Sequence, residues 1–204
     1  MALPNRVDPF GAHFATPARG AMYGNRGGRF HSDAQLPAAR PWASRQWLCC
    51  VLSFKSRRRK VWTKGYTELF FLDEVTALAA GHRPCFECRR SDAKRFQACW
   101  ADSSGAVLRA PQMDVVLHGE RLSGRAKRLH RMKLDAMPDG VMIAHEGRSF
   151  ALRGGEMLAW SFEGYGAAVA RSRGMADVLT PPSIIACLAR GYRPMWHASA
   201  GAGR

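Results

Sequence analysis

The segment Phe71-Leu72-Asp73-Glu74-Val75-Thr76-Ala77-Leu78-Ala79-Ala80-Gly81-His82-Arg83-Pro84-Cys85-Phe86-Glu87-Cys88-Arg89-Arg90 decides how this chain is read. An apolar strand end runs into Asp73, whose side chain suits the N-cap of a helix over 74–80. Gly81 fits the position that closes such a helix, and Pro84 prevents its continuation. Cys85 and Cys88 follow at a Cys-x-x-Cys spacing, where two thiolates can grip one metal ion, most often zinc. Ser91 is then expected to cap a second helix to about Asp102. Phe96, Cys99 and Trp100 fall on one face of it, so Cys99 reads as a core residue and not as a ligand.

Upstream, Trp47 to Phe54 reads as a buried strand, Arg57-Arg58-Arg59-Lys60 as a basic turn, and Val61-Trp62 and Tyr66 to Leu72 as further strands. Residues 1–46 are rich in Gly, Pro, Ala and Arg and predict an irregular arm. Downstream, Val115 to Leu117 is expected to form a short strand. Val141 to Ala144 and Ser149 to Leu152 form a hairpin around Glu146-Gly147, and Met157 to Trp160 a third strand. Thr180 is expected to cap a last helix with Pro181 in its first turn and Gly191 at its end. The expected fold class is α+β: an N-terminal arm (1–46), a zinc-binding module (47–102) and a mainly β C-terminal half (103–204) packed on it. One internal echo stands out. Ala77 to Pro84 resembles Cys187 to Pro194, and both read as one solution to ending a helix.

The chain has 204 residues, 47% of them hydrophobic, and its 31 Lys+Arg against 16 Asp+Glu give a net charge of +15. That hydrophobic content belongs to a globular protein with a real core. The charge favours a polyanionic partner, nucleic acid before an anionic membrane. The start shows no signal-peptide pattern, and no run of apolar residues is long enough to span a membrane, so the expected location is the cytoplasm. Six cysteines, at 49, 50, 85, 88, 99 and 187, then read as metal ligands and core thiols before disulfides.

From about Tyr66 to Arg95 the chain resembles the zinc-binding module of Ada-type methylphosphotriester DNA-repair proteins. The shared order is strand, capped helix, Ala-Gly-aromatic-Arg-Pro and Cys-x-x-Cys. The resemblance implies zinc, with Cys85 and Cys88 as the downstream ligands of a four-cysteine site. The family spaces its upstream pair, which carries the methyl-accepting thiolate, by three residues; here Cys49 and Cys50 are adjacent. Neighbouring side chains on a strand point to opposite faces, so one of the two is expected to ligate and the other to pack in the core. Cys50 is assigned as the ligand. His31 and His82 are the nearest candidates for the fourth position, His31 being preferred, and would close a structural site. With no histidine there, water would occupy the position and the ion could act as a Lewis acid.

Phosphate contacts are expected from Arg57, Arg58, Arg59 and Lys60, from Arg89 and Arg90 ahead of the second helix, and from Arg125, Lys127, Arg128 and Arg131. The expected function is a zinc-binding, basic nucleic-acid-binding protein acting on DNA before RNA, with a link to repair. Two alternatives stand beside it. One is a metal- or cysteine-dependent enzyme on nucleic acid, a nuclease or an alkyl-transfer protein with Cys49 or Cys50 as nucleophile. The other is a zinc-stabilised scaffold for a protein or RNA.

Overall fold

The structure, a computed structural model, describes residues 2–34, 37–56, 61–63 and 65–201. Arg57, Arg58, Arg59, Lys60 and Lys64 lie outside the described residues, and with them the basic turn expected there. The architecture is mixed α+β: two six-stranded sheets enclose one short helix.

The N-terminal sheet contains β1 (Arg6–Val7), β2 (His13–Phe14), β3 (Met22–Arg26), β4 (Trp47–Cys50), β5 (Leu69–Phe71) and β6 (Arg83–Pro84), in the order β2-β1-β5-β3-β4-β6. Strands β1/β5 and β4/β6 run parallel and the other pairs antiparallel. The first 46 residues, expected as an irregular arm, contribute strands to this sheet. They supply β1, β2 and β3, and β3 sits between β4 and β5. No alternating apolar pattern marks β3 (Met22-Tyr23-Gly24-Asn25-Arg26), because its polar residues are buried as well. Gly24 is needed there, since a Cβ would lie 2.4 Å from the Leu48 carbonyl oxygen and 2.6 Å from the Phe71 ring.

Helix α1 (Glu74–Ala79) starts as the sequence predicts, with Asp73 Oδ1 accepting from the Thr76 amide at 2.9 Å. Every one of its residues is buried. A helix with apolar residues on every side must be covered on every side. Ala77 and Ala80 pack on the N-terminal sheet beside Cys49 and Phe71, whereas Val75 and Ala79 pack on the second sheet beside Met142, Ala151 and Leu179. After the helix, the His82 amide donates to Ala77 O at 2.9 Å and the Gly81 amide to Leu78 O at 2.9 Å, with Gly81 at φ +87°. This is the paired-bond helix ending that favours glycine. The echo in the sequence forms the same ending: Tyr192 N to Cys187 O at 3.0 Å, Gly191 N to Leu188 O at 3.1 Å, and Gly191 at φ +97°.

Helix α2 (Arg90–Ser104) buries Ala93, Phe96 and Trp100. Helix α3 (Ala110–Arg121) replaces the strand expected at 115–117. Its buried positions Met113, Leu117 and Arg121 recur every four residues, while Val115 and Val116 face solvent. The helical period of the buried set outweighs the β propensity of two valines. A small hairpin, β7 (Leu122–Ser123) and β8 (Ala126–Lys127), leads to the second sheet. That sheet holds β9 (His130–Lys133), β10 (Met142–His145), β11 (Arg148–Arg153), β12 (Glu156–Trp160), β13 (Tyr165–Ala170) and β14 (Met175–Val178), all antiparallel, in the order β13-β12-β11-β10-β14-β9. The β10–β11 hairpin and β12 lie where the sequence places them.

Helix α4 (Pro182–Ala189) closes the apolar core against α2, with Leu152, Val178, Ile184 and Leu188 buried together. Thr180 does not cap it. Its hydroxyl accepts from the Met142 amide at 2.9 Å, and Glu120 caps the helix in its place, accepting from Ser183 N at 3.0 Å and Ser183 Oγ at 2.6 Å. His130 bonds Glu120 O at 2.8 Å, so these groups do structural work between elements.

Candidate metal centre

Strand β4 carries Cys49 and Cys50 on opposite faces, and that alternation separates their chemistry. Cys49 is fully buried against α1. Its Sγ accepts from Arg89 Nη1 at 3.5 Å, and burial, reinforced by the nearby Glu74 carboxylate, pushes its thiol pKa well up. A neutral, enclosed thiol of this kind is a poor nucleophile. Cys50 points the other way, towards the knuckle that follows β6.

There, Cys50, Cys85 and Cys88 bring their Sγ atoms within 4.8 Å of one another. A tetrahedral ion with zinc–sulfur bonds near 2.3 Å needs sulfurs about 3.8 Å apart, so a small contraction makes one face of a tetrahedron. These three cysteines can hold a metal ion. The backbone is arranged for thiolates. The Cys85 amide donates to Cys49 O at 3.0 Å, which pins the knuckle to β4, and the Glu87 amide donates to Cys85 Sγ at 3.4 Å. Hydrogen bonds from the Cys50 and Cys88 thiols hold the Cys85 pKa low, and the Cys50 pKa is driven high by its own bonds with Cys85 and Cys88.

His31 is not part of this cluster. Its ring bonds Thr67 Oγ1 at 2.7 Å and Thr63 O at 3.0 Å and stacks on Trp62 with centroids 5.0 Å apart, so both nitrogens are engaged elsewhere. His82 is buried beside Trp47 and Phe71 and accepts from Arg26 Nε at 3.4 Å. Neither histidine closes the site.

Arg89, expected on a phosphate, is instead an internal group. Its Nη2 donates to Glu74 Oε2 at 2.7 Å and to Asp92 Oδ2 at 2.9 Å, and its side chain is 2% exposed. Burial alone would lower its pKa, but the Glu74 carboxylate raises it, so the guanidinium stays charged. Glu74 also accepts from Tyr192 Oη at 2.5 Å and from the Met195 amide at 2.9 Å. Asp73 accepts from Tyr165 Oη and from the His197 amide. Two carboxylates at the start of α1 thus tie the C-terminal segment to the cysteine knuckle. Arg83, one residue before Pro84, makes a bidentate pair with Asp114 on α3, both bonds 2.8 Å.

A cleft of about 290 Å³ opens beside the thiols and is lined by all three of them. Tyr23, Phe54, Tyr66 and Phe70 give it aromatic walls, and Asn25, Gln46 and Glu68 give it polar edges. Glu68 is nearly buried, and its Oε2 accepts from the Trp62 amide at 2.8 Å. A second, shallower cleft of about 780 Å³ lies across the molecule's β7–β9 region, lined by Lys127, Arg128, His130 and Arg131 among others. Arg90, Arg125, Arg128 and Arg131 are exposed. Lys127, expected on a phosphate, is instead turned inward: its Nζ donates to Ala79 O, and burial followed by repulsion from Arg26 and Arg121 lowers its pKa to about 7.

Sequence reading missed one further constellation. The guanidinium carbons of Arg26 and Arg121 each lie 3.9 Å from the centroid of the Trp47 ring. Both arginines are about 1% exposed and bond mainly to backbone carbonyls: Gly11 and Pro41 for Arg26, Gly81 and Arg45 for Arg121. Nothing in the local sequence marks this cluster, because its members come from β3, β4 and α3.

Comparison with protein-family models, with curated proteins and with solved structures returns no match. Among the described residues, no helix is long and apolar enough to cross a membrane.

Proposed function

We propose that this chain is a zinc-stabilised nucleic-acid-binding protein, acting on DNA before RNA and related to the repair of DNA. The observation that carries the reading is the shallow cleft where Arg128 and Arg131 meet His130 on one face of a chain of net charge +15. Exposed cations on a concave surface suit a run of phosphates. Zinc is the metal that three cysteine thiolates most often select in a protein fold. The resemblance of residues 66–95 to the Ada-type module supports both the metal and the nucleic acid.

The test is a salt series. Binding of a labelled DNA duplex and of a single-stranded RNA is measured by fluorescence anisotropy at several salt concentrations. For DNA, log Kd is expected to rise linearly with log salt, and an Arg128→Ala/Arg131→Ala variant should lower that slope by about 2, near 0.9 for each phosphate no longer neutralised. Absence of DNA affinity at physiological salt, or an unchanged slope in the variant, would overturn the proposal. Tighter binding of RNA would overturn its DNA part alone.

A further inference from the structure

The cysteine cluster of Cys50, Cys85 and Cys88 presents three sulfur donors and, among the described residues, no fourth His, Cys, Asp or Glu atom at the same spacing. The remaining residues (Met1, Gln35, Leu36, Arg57 to Lys60, Lys64 and Ala202 to Arg204) include none of those four types. Zinc takes four ligands, so a fourth donor has to join these three thiols.

The place from which it comes is set by the cleft. All three cysteines line the same 290 Å³ opening, so a molecule in that space lies beside the thiols. The walls that matter are Tyr66, which is 48% exposed, together with Phe70 and Tyr23. Aromatic side chains around a cleft favour an aromatic guest, whatever its sequence context. Asn25, Gln46 and Glu68 add hydrogen-bonding groups along the edges, where a purely hydrocarbon ring would leave polar groups poorly matched. A guest that satisfies metal, walls and edges together is planar, carries a lone pair on a ring nitrogen or ring-attached oxygen, and has donors and acceptors on its rim.

We infer that the fourth coordination position of the metal is an exchangeable site for a planar N-heterocycle of nucleobase type held in this cleft. The inference rests on the metal-binding, nucleic-acid-binding reading above and deepens it. The basic cleft would carry the phosphate chain, and the aromatic cleft would take one unstacked base. The ion thereby becomes a recognition element as well as a staple.

Cobalt(II) substitution tests it on the full chain, because the visible bands of cobalt report a change of ligand directly. The protein is loaded with one equivalent of cobalt, and imidazole and free adenine are titrated in turn. The bands are expected to shift saturably with both. A Tyr66→Ala variant, altered at a half-exposed position, should keep its full cobalt content and bind adenine at least about fivefold more weakly, the lower end of what stacking of one base contributes. A spectrum that stays unchanged at saturating imidazole, with cobalt bound, means a closed site and overturns this inference while leaving the nucleic-acid reading standing. A shift in a protein that fails the DNA salt series sinks that reading and leaves the open position. A cluster that binds no cobalt or zinc overturns the inference at its root.

Discussion

The two sheets solve the same problem, burying a sheet face, by opposite means. The C-terminal sheet and its helices enclose a large apolar cluster of Leu, Ile, Val, Met and aromatic side chains. Around the N-terminal sheet, the buried residues include Arg26, His31, Glu68, Glu74, His82, Arg83 and Arg89 beside a smaller apolar set. Apolar packing is non-directional and tolerates exchange, whereas buried charges hold only while each keeps its partner. The first region is a scaffold, and the second holds the thiols in place. Polar networks cost stability unless complete, so their concentration around the cysteine knuckle marks the region that geometry must serve.

The comparison can be broken most forcefully at the metal. On the proposed zinc reading, Cys85→Ser should reduce bound zinc from one equivalent to none after dialysis, and melting should fall steeply, since structural zinc binding is worth about 10 kcal/mol or more near neutral pH. A Cys99→Ser control should keep its metal, because Cys99 packs at the α2–α4 contact. Metal retained in Cys85→Ser would remove the cluster from the account. Next in size is Glu74→Gln. It leaves the buried Arg89 guanidinium short of its carboxylate and is expected to cost about 3–5 kcal/mol in urea denaturation. A loss under about 1 kcal/mol, the scale of an exposed pair, would show that Asp92 alone suffices.

In the other sheet, Leu152→Ala removes a fully buried side chain and should cost about 3 kcal/mol while leaving metal content unchanged. Loss of metal in that variant would mean that the two regions do not separate. The smallest effect, about 2 kcal/mol for one histidine at pH 5, is on acid stability. His13 is held near a pKa of about 3 by burial and then by the Arg26 charge, and His82 is pushed well below its ordinary value by burial and by Arg26 and Arg121. Both are neutral in the folded state, while the unfolded chain protonates them below about pH 6.5. The unfolded state therefore binds more protons in that window. Stability is complete above about pH 6.5 and falls as pH drops towards about 3, by at most about 1.4 kcal/mol per pH unit for each histidine. His13→Gln should flatten that slope when urea midpoints are compared at about pH 7.5, 6 and 5, and an equal slope would refute the assignment.

How far the sequence reached is visible in particular residues. The knuckle was legible because its signals are local: Asp73 caps, Gly81 ends, and Cys85 and Cys88 stand at ligand spacing. Strand alternation separated Cys49 from Cys50, and the fold decided which of them faces the knuckle. The place of β3 was not legible, since Gly24, Asn25 and Arg26 show no alternation and are buried for reasons that lie in β4, β5 and His82. Arg89 looked like a phosphate contact because its partners, Glu74 and Asp92, come from one helix behind it and one ahead. Lys127 looked free because Ala79, whose carbonyl it meets, lies 48 residues away.

By itself the sequence determined the elements whose causes are short-range, namely the capped helix, the helix endings at Gly81 and Gly191, the hairpin at 146–147, and the two-thiol knuckle. Tertiary structure alone decided the third thiol's company, the absence of His31 from the site, the burial of Arg26, Arg89 and Arg121, and the cleft onto which the thiols open. The physical reason is reach. Caps, turns and ligand spacings are settled within a few residues of backbone, whereas a buried charge or the place of a third thiol is settled by whichever distant groups the fold brings against it.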